Sequence, residues 1–110
     1  MQLNEYQQLA ARTINKELSE TEKSMHALHG MSAETGELHG LYQKCYQGHK
    51  AAVDHIQKEV GDLLWFIAEY CSAWGWTLDE IAQMNIDKLR KRYPDGFAAE
   101  RSINRKEGDV

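Results

Sequence analysis

The sequence predicts an all-α fold, a four-helix bundle in which the second and third helices are antiparallel, and three observations support this. Pro94, the single proline among the 110 residues, lies near the C-terminal end, so the preceding chain is free to be helical. Apolar residues upstream of Pro94 recur at spacings of three and four, as in an amphipathic helix. Residues that form turns and caps divide this pattern into segments. We expect four helices, over residues 3–19, 23–47, 51–74 and 77–92.

The boundaries of these helices follow from local capping chemistry. The segment LSETEK breaks the first apolar pattern, and Ser19 supplies a hydroxyl group suited to a helix start. Gly48 fits a left-handed cap at the end of the second helix. Thr77 and Glu80 form a capping-box pattern at the start of the fourth helix, and the turn sequence YPDG ends it. Residues 98–110 then form a polar tail that we expect to be loosely held.

Composition and charge exclude several classes of protein. A formal net charge of −4 argues against nucleic acid as a partner. The chain has no apolar run of the roughly 20 residues that cross a bilayer, and its amphipathic N-terminal segment lacks the continuous apolar stretch of a signal peptide. Cys45 and Cys71 lie within helical patterns without the spacing of metal ligands, which favours free thiols. We therefore expect a cytoplasmic globular protein that binds neither nucleic acid nor membrane.

The third helix indicates an assembly of several copies. Its segment LLWFIA, residues 63–68, is apolar on all sides, whereas a surface helix shows only an apolar stripe. A four-helix monomer of this size does not easily cover every side of such a helix. We therefore expect a homodimer or a tetramer. The alternative is that the third helix is simply central in a monomeric bundle.

Two short acidic segments, ETGEL and EVGDLLW, resemble each other and carry the main functional signal. Each places two carboxylates three residues apart, on one face of a helix. If the chain reverses near Gly48, Glu37 and Glu59 lie at equal distances from the turn, and so do Glu34 and Asp62. At a helical rise of about 1.5 Å per residue, both pairs lie roughly 16–21 Å from the turn. Four acids should therefore converge in one small volume.

Such a cluster suffers like-charge repulsion unless cations neutralise it, and an all-oxygen ligand set favours Mg²⁺ or Mn²⁺ over zinc. Gly36 and Gly61, just before the second acid of each pair, would permit close approach of backbone or ligand. One alternative is a set of solvated surface acids paired with lysines. Another is a di-iron bundle, which requires Glu-x-x-His motifs. No histidine of this chain has a glutamate three residues before it.

The motif Glu34-x-x-Glu37, followed by Glu59-x-x-Asp62, resembles the signature of the all-α nucleoside triphosphate pyrophosphohydrolases, the MazG-like group. That superfamily also includes the dimeric dUTPases and phosphoribosyl-ATP pyrophosphatase. The segments NEYQQLAARTI, HALHGMSAETGEL and NIDKLRKRYPDGF resemble the short, single-domain branch of the group, including its phage members. The resemblance implies a MazG-like catalytic domain over residues 1–97, followed by the tail.

The resemblance also implies a Mg²⁺-dependent enzyme that cuts a nucleoside triphosphate between the α- and β-phosphates, releasing a nucleoside monophosphate and pyrophosphate. By this analogy Glu34, Glu37, Glu59 and Asp62 are both the metal ligands and the catalytic residues. One of the acids on the second helix would also orient or deprotonate the attacking water. A dUTPase or dCTPase with strict base choice is one alternative. A non-catalytic helical partner protein that keeps the metal cluster for stability is another.

The fourth helix offers groups for the phosphates. Asn85, Lys88 and Arg92 share one face of it, and the resemblance favours Asn85 and Lys88 as phosphate ligands. An exposed polar face is the alternative, especially for Arg92. Lys44, seven residues after Glu37, is a further candidate on the acidic face of the second helix.

The nucleoside requires a stacking surface. Trp65 and Phe66 follow Asp62 by three and four residues, and in related enzymes an aromatic residue near this position contacts the base. Core or dimer packing is the alternative role for both. His26 is a candidate for the same pocket, with a capping or surface role as its alternative.

Overall fold

All regular structure in the chain is helical, as the sequence predicted. A computed structural model describes residues 1–110 and contains five helices. None of them is both long and apolar enough to cross a membrane. Their bounds are α1 Leu3–Ala11, α2 Glu20–Tyr46, α3 Val53–Trp74, α4 Leu78–Arg92 and α5 Ala99–Ile103.

Helices α2 and α3 form a long antiparallel hairpin, which is the main packing unit of the fold. Ser19 Oγ accepts a hydrogen bond from the Glu22 amide at 3.1 Å, and the Glu22 carboxylate accepts one from the Ser19 amide at 3.0 Å. This reciprocal cap starts α2 at Glu20, slightly earlier than expected. Gly48 has φ of +93°, the left-handed conformation predicted for the turn.

The first helix ends at Ala11, well before residue 19, because a contact with α3 competes for its last carbonyl groups. The indole N–H of Trp65 donates to the Ala10 carbonyl (3.2 Å) and to Thr13 Oγ1 (2.9 Å). The Thr13 hydroxyl donates to the same Ala10 carbonyl at 2.9 Å. The expectation of a single helix over residues 3–19 was therefore wrong beyond Ala11.

Helix α1 is fastened to the turn between α3 and α4 by one side chain. The Gln7 amide nitrogen donates to the Trp76 carbonyl (2.8 Å) and to Ser72 Oγ (3.1 Å), and its oxygen accepts from the Leu78 amide at 2.7 Å. A small core lies beside this junction, formed by Ala10, Ala68, Cys71 and Leu78. Consequently α4 packs mainly against α1 rather than along the α2–α3 hairpin.

The fourth helix begins with the predicted capping box, in which Thr77 Oγ1 accepts from the Glu80 amide at 3.1 Å. It ends at Arg92, as the YPDG turn indicated. The tail is more ordered than expected, since it contains α5 and returns to α4. There, Asp109 accepts hydrogen bonds from the Arg92 guanidinium, one of them from Nε at 2.9 Å.

A single chain is less compact than is usual for a protein of this length. Only 8 of its 110 residues are buried, and the radius of gyration is 17.3 Å, against about 13 Å for a typical domain of 100 residues. On α3, Val60 and Leu64 remain 51% and 38% exposed. The helices of one chain therefore leave apolar surface of the hairpin uncovered.

Candidate metal centre

The acids of the two repeated motifs meet on facing sides of the hairpin, as their spacing from the turn predicted. Glu34 on α2 and Glu59 and Asp62 on α3 each offer a carboxylate oxygen, and these oxygens lie within 4.8 Å of one another. Glu37 adjoins the group, since a hydrogen bond with Glu59 and the charge of that residue raise its pKa. The structure therefore brings all four predicted acids together, with Glu37 and Asp62 on the exposed side.

The pKa values of Glu34 and Glu59 shift in opposite directions. The pKa of Glu34 rises to about 7, chiefly through a hydrogen bond with Glu59 and then through burial and the charge of Glu37. The pKa of Glu59 is lowered, because hydrogen bonds from Glu34, Glu37 and His55 favour its ionised form. The two shifts therefore favour protonation of Glu34 over protonation of Glu59.

Two carboxylate oxygens of the cluster are buried without any hydrogen-bond partner, Glu34 Oε2 and Glu59 Oε2. Buried polar atoms in native proteins are almost always paired, and each unpaired one costs about 1–3 kcal/mol or more. A divalent cation bound by oxygen ligands satisfies both atoms and removes the repulsion among the acids. The residues present thus fit a Mg²⁺ or Mn²⁺ ion.

His55 is a site residue that the sequence reasoning missed. Its Nε2 donates to Glu59 Oε1 at 2.8 Å from one turn earlier on α3, so the other carboxylate oxygen, Oε2, is the one left without a partner. The His-x-x-x-Glu spacing was the available signal, because residues four apart lie on the same helical face.

The glycines of the two motifs have a different role from the expected one. A Cβ added at Gly36 or Gly61 would meet no atom within 4 Å, so the helices do not approach closely there. The close approach is at Gly30, where an added Cβ would lie 2.3 Å from the Phe66 ring. The expectation that a backbone approaches Gly36 and Gly61 closely was therefore wrong, whereas close approach of a ligand stays a prediction.

Phe66 and His26 lie side by side next to the acids, whereas Trp65 has a structural role. Trp65 packs against the core and holds α1 through its indole N–H, which supports the packing alternative. The Phe66 ring covers the α2 backbone at Gly30, and the His26 ring meets it edge-on at 5.7 Å between centroids. The partner of His26 is Glu69, a second residue that sequence reasoning missed.

The phosphate-binding candidates lie apart from the acids within one chain. Lys88 and Arg92 line a cleft of about 670 Å³ between α4 and the C-terminal residues, and none of the four acids lines it. The guanidinium of Arg92 is already engaged by Asp109. Asn85 and Lys44 are exposed. Lys88 and Arg92 thus line a cleft that does not include the acids, and the role of all four residues in phosphate binding stays a prediction.

The fold and the site together define an all-α protein in which a helical hairpin carries a cluster of carboxylates that could hold a metal ion. The family model described as the MazG nucleotide pyrophosphohydrolase domain matches residues 10–97, and the chain belongs to that family. It is 26% identical over 81 residues to the Gene 37 protein of Mycobacterium phage L5, an alignment covering 69% of this chain and 71% of the phage protein. No solved structure matches it.

Proposed function

We propose that this protein is a Mg²⁺-dependent nucleoside triphosphate pyrophosphohydrolase that cleaves between the α- and β-phosphates to give a nucleoside monophosphate and pyrophosphate. The observation that carries the proposal is the pair of buried, unpartnered oxygens, Glu34 Oε2 and Glu59 Oε2, within one carboxylate cluster of a MazG-family chain. Buried oxygens without partners are expected where a cation belongs, and phosphoryl transfer depends mainly on positioning and charge neutralisation.

The acids have two roles in this proposal, metal binding and activation of water. Glu34, Glu37, Glu59 and Asp62 hold the metal, for which Mn²⁺ is a substitute. When bound, the metal neutralises phosphate charge and favours attack by water. One of the α2 acids, Glu34 or Glu37, orients or deprotonates that water, and His55 keeps Glu59 ionised and oriented.

Assembly completes the proposed site. The exposed apolar residues of α3 and the open shape of one chain support a homodimer or tetramer. In such an assembly Asn85, Lys88 and Arg92 bind the β- and γ-phosphates, with Lys44 as a further cation, and Phe66 and His26 contact the base. Light scattering during size-exclusion chromatography tests this, since a monomeric mass would contradict it.

The activity is tested with a panel of common NTPs and dNTPs, with Mg²⁺ and with EDTA, followed by chromatography of the products. We expect monophosphate and pyrophosphate, abolished by EDTA and by Glu59→Gln but not by Glu17→Gln, an exposed acid outside the site. Turnover of one nucleotide only would favour the dUTPase- or dCTPase-type alternative. Metal-dependent melting without turnover would favour the non-catalytic partner protein.

A further inference from the structure

Outside the metal centre, one acidic side chain is completely withdrawn from water. Glu69 on α3 is 1% exposed and is the largest fully buried side chain of the chain. Its hydrogen-bonding partner is His26 on α2, whose side chain is 51% exposed. Replacing a buried ionic pair by apolar groups is often neutral or stabilising, so stability alone is a weak reason for such a pair.

The geometry of the pair fixes the direction in which the imidazole points. His26 Nδ1 lies 2.8 Å from Glu69 Oε1 and 3.0 Å from Oε2, so one N–H is shared between both oxygens. A carboxylate accepts hydrogen bonds and does not donate them, so Nδ1 carries the hydrogen. The other ring nitrogen, Nε2, makes no hydrogen bond and lies on the opposite edge of the ring from Glu69, in a side chain that is 51% exposed.

The His26 imidazole lies next to an apolar aromatic surface that suits a nucleobase. Its ring meets Phe66 edge-on at 5.7 Å, and Phe66 in turn meets Trp65 edge-on at 5.1 Å between centroids. Phe66 lies on α3 between Asp62 and Glu69, and these two acids are about 10 Å apart along the helix. A nucleotide with its phosphates at the metal centre therefore has its base near Phe66 and His26.

We propose that Glu69 is a positioning residue that holds His26 with Nε2 facing the nucleobase, so that His26 distinguishes bases by the group on their hydrogen-bonding edge. This inference rests on the proposed function. In the neutral ring Nε2 accepts from an exocyclic amino group, and in the imidazolium it donates to a carbonyl oxygen. In either protonation state, His26 binds a base with the matching group more tightly than a base with the other group.

The test uses two substrate pairs, dCTP with dUTP and dATP with dITP. Within each pair an amino group is replaced by a carbonyl at that edge, and the adjoining ring nitrogen changes from an acceptor to an N–H donor. For the wild-type chain we expect a kcat/KM ratio of about tenfold or more within a pair, since a mismatch leaves a polar group unpaired. His26→Ala should bring the ratio close to one. His29→Ala, which removes an exposed histidine on the same helix, should keep the wild-type ratio.

The Glu69 variants separate positioning from a purely structural role. Glu69→Gln retains an acceptor for Nδ1–H and should keep the ratio within about threefold of wild type. In Glu69→Met an apolar side chain of similar size replaces the carboxylate. The kcat/KM ratio within a pair should then fall close to one, while the melting temperature stays at or above the wild-type value. Mn²⁺ affinity, measured without nucleotide, should be unchanged in every variant.

Four results would overturn the inference. A wild-type ratio near one, or an unchanged ratio in His26→Ala, would show that His26 does not read the base, with the proposed function still intact. Loss of the ratio together with a lower melting temperature or weaker Mn²⁺ binding would mean that the hairpin itself is disturbed. Absence of turnover by the wild-type chain would overturn the proposed function, and the inference with it.

Discussion

Gly30→Ala should destabilise the protein, although the same change stabilises an ordinary helix. Gly30 lies on α2 beneath the Phe66 ring, and an added Cβ would lie 2.3 Å from Cδ1 and Cε1 and 2.6 Å from Cγ. Non-bonded carbon atoms prefer separations of about 3.5–4.0 Å. The ring or one helix must therefore move by about 1 Å or more, because the contact includes the base of the ring as well as its tip.

The effect of Gly30→Ala on the free energy of unfolding is the difference between two opposing contributions. Overpacking of a well-packed contact costs about 1–3 kcal/mol, and the upper end applies because Phe66 is held between His26 and Trp65. Replacing glycine by alanine inside a helix stabilises the folded protein by about 1 kcal/mol. The free energy of unfolding should therefore fall by about 2 kcal/mol, which lowers the melting temperature by about 8 °C for a domain of this size.

The matched control is Gly36→Ala on the same helix, where an added Cβ meets no atom within 4 Å. This variant keeps only the helix-propensity term, so its melting temperature should rise by about 4 °C. Both variants are melted in EDTA and followed by circular dichroism at 222 nm, so that metal binding does not contribute. Equal melting temperatures for the two variants would refute the reasoning, because the Phe66 contact is the difference between them.

Three further changes test the metal centre and the tail. The folded-state pKa of Glu34 is raised from 4.5 to about 7, so the contribution of Glu34 to the stability of the metal-free protein should be greatest at low pH and be lost as pH rises through 7. Mn²⁺ affinity should rise over the same interval, because the metal binds the ionised carboxylate. His55→Ala removes the hydrogen bond that orients Glu59, and titration should show Mn²⁺ affinity falling by about tenfold or more, with His55→Gln in between. Asp109→Asn removes the ionised acceptor for Arg92, so trypsin should cleave the C-terminal tail faster than in wild type, as followed by mass spectrometry.

Each of these predictions has a result that contradicts it. Metal-free melting temperatures that rise from pH 5 to 8 would show that Glu34 does not carry the shared proton, with Glu34→Gln as the control that should flatten the profile. Unchanged Mn²⁺ affinity in His55→Ala would show that Glu59 is oriented without its neighbour. Equal cleavage rates for Asp109→Asn and wild type would show that Arg92 does not hold the tail.

The convergence of the acids was predictable because each of its signals is local. The i,i+3 spacing places two acids on one face of each helix, and equal distances from Gly48 place the two pairs at the same height. The family resemblance rested on the same acids. Neither step required knowledge of how α1 or α4 packs, so an error in those helices did not affect the site.

The surroundings of the acids were not predictable in the same way. The partners of His26 and Arg92 are Glu69 and Asp109, which lie 43 and 17 residues away in the sequence. Glu69 sits in an otherwise apolar stretch, and spacing alone does not indicate whether it is exposed or paired. Similarly, the sequence marked Gly36 as a close-approach position, but the register of the hairpin brings Phe66 onto Gly30 instead.

The sequence alone determined the all-α class, the cap residue Ser19, the capping box at Thr77, the left-handed turn at Gly48 and the convergence of the acids. Each depends on hydrogen bonds or helical periodicity within a few residues, or on symmetry about one turn. The end of α1, the placement of α4 and the pairing of buried groups were decided only in the tertiary structure. There, atoms from distant segments compete for the same partners, as Trp65 does for the Ala10 carbonyl, and local propensity does not settle that competition.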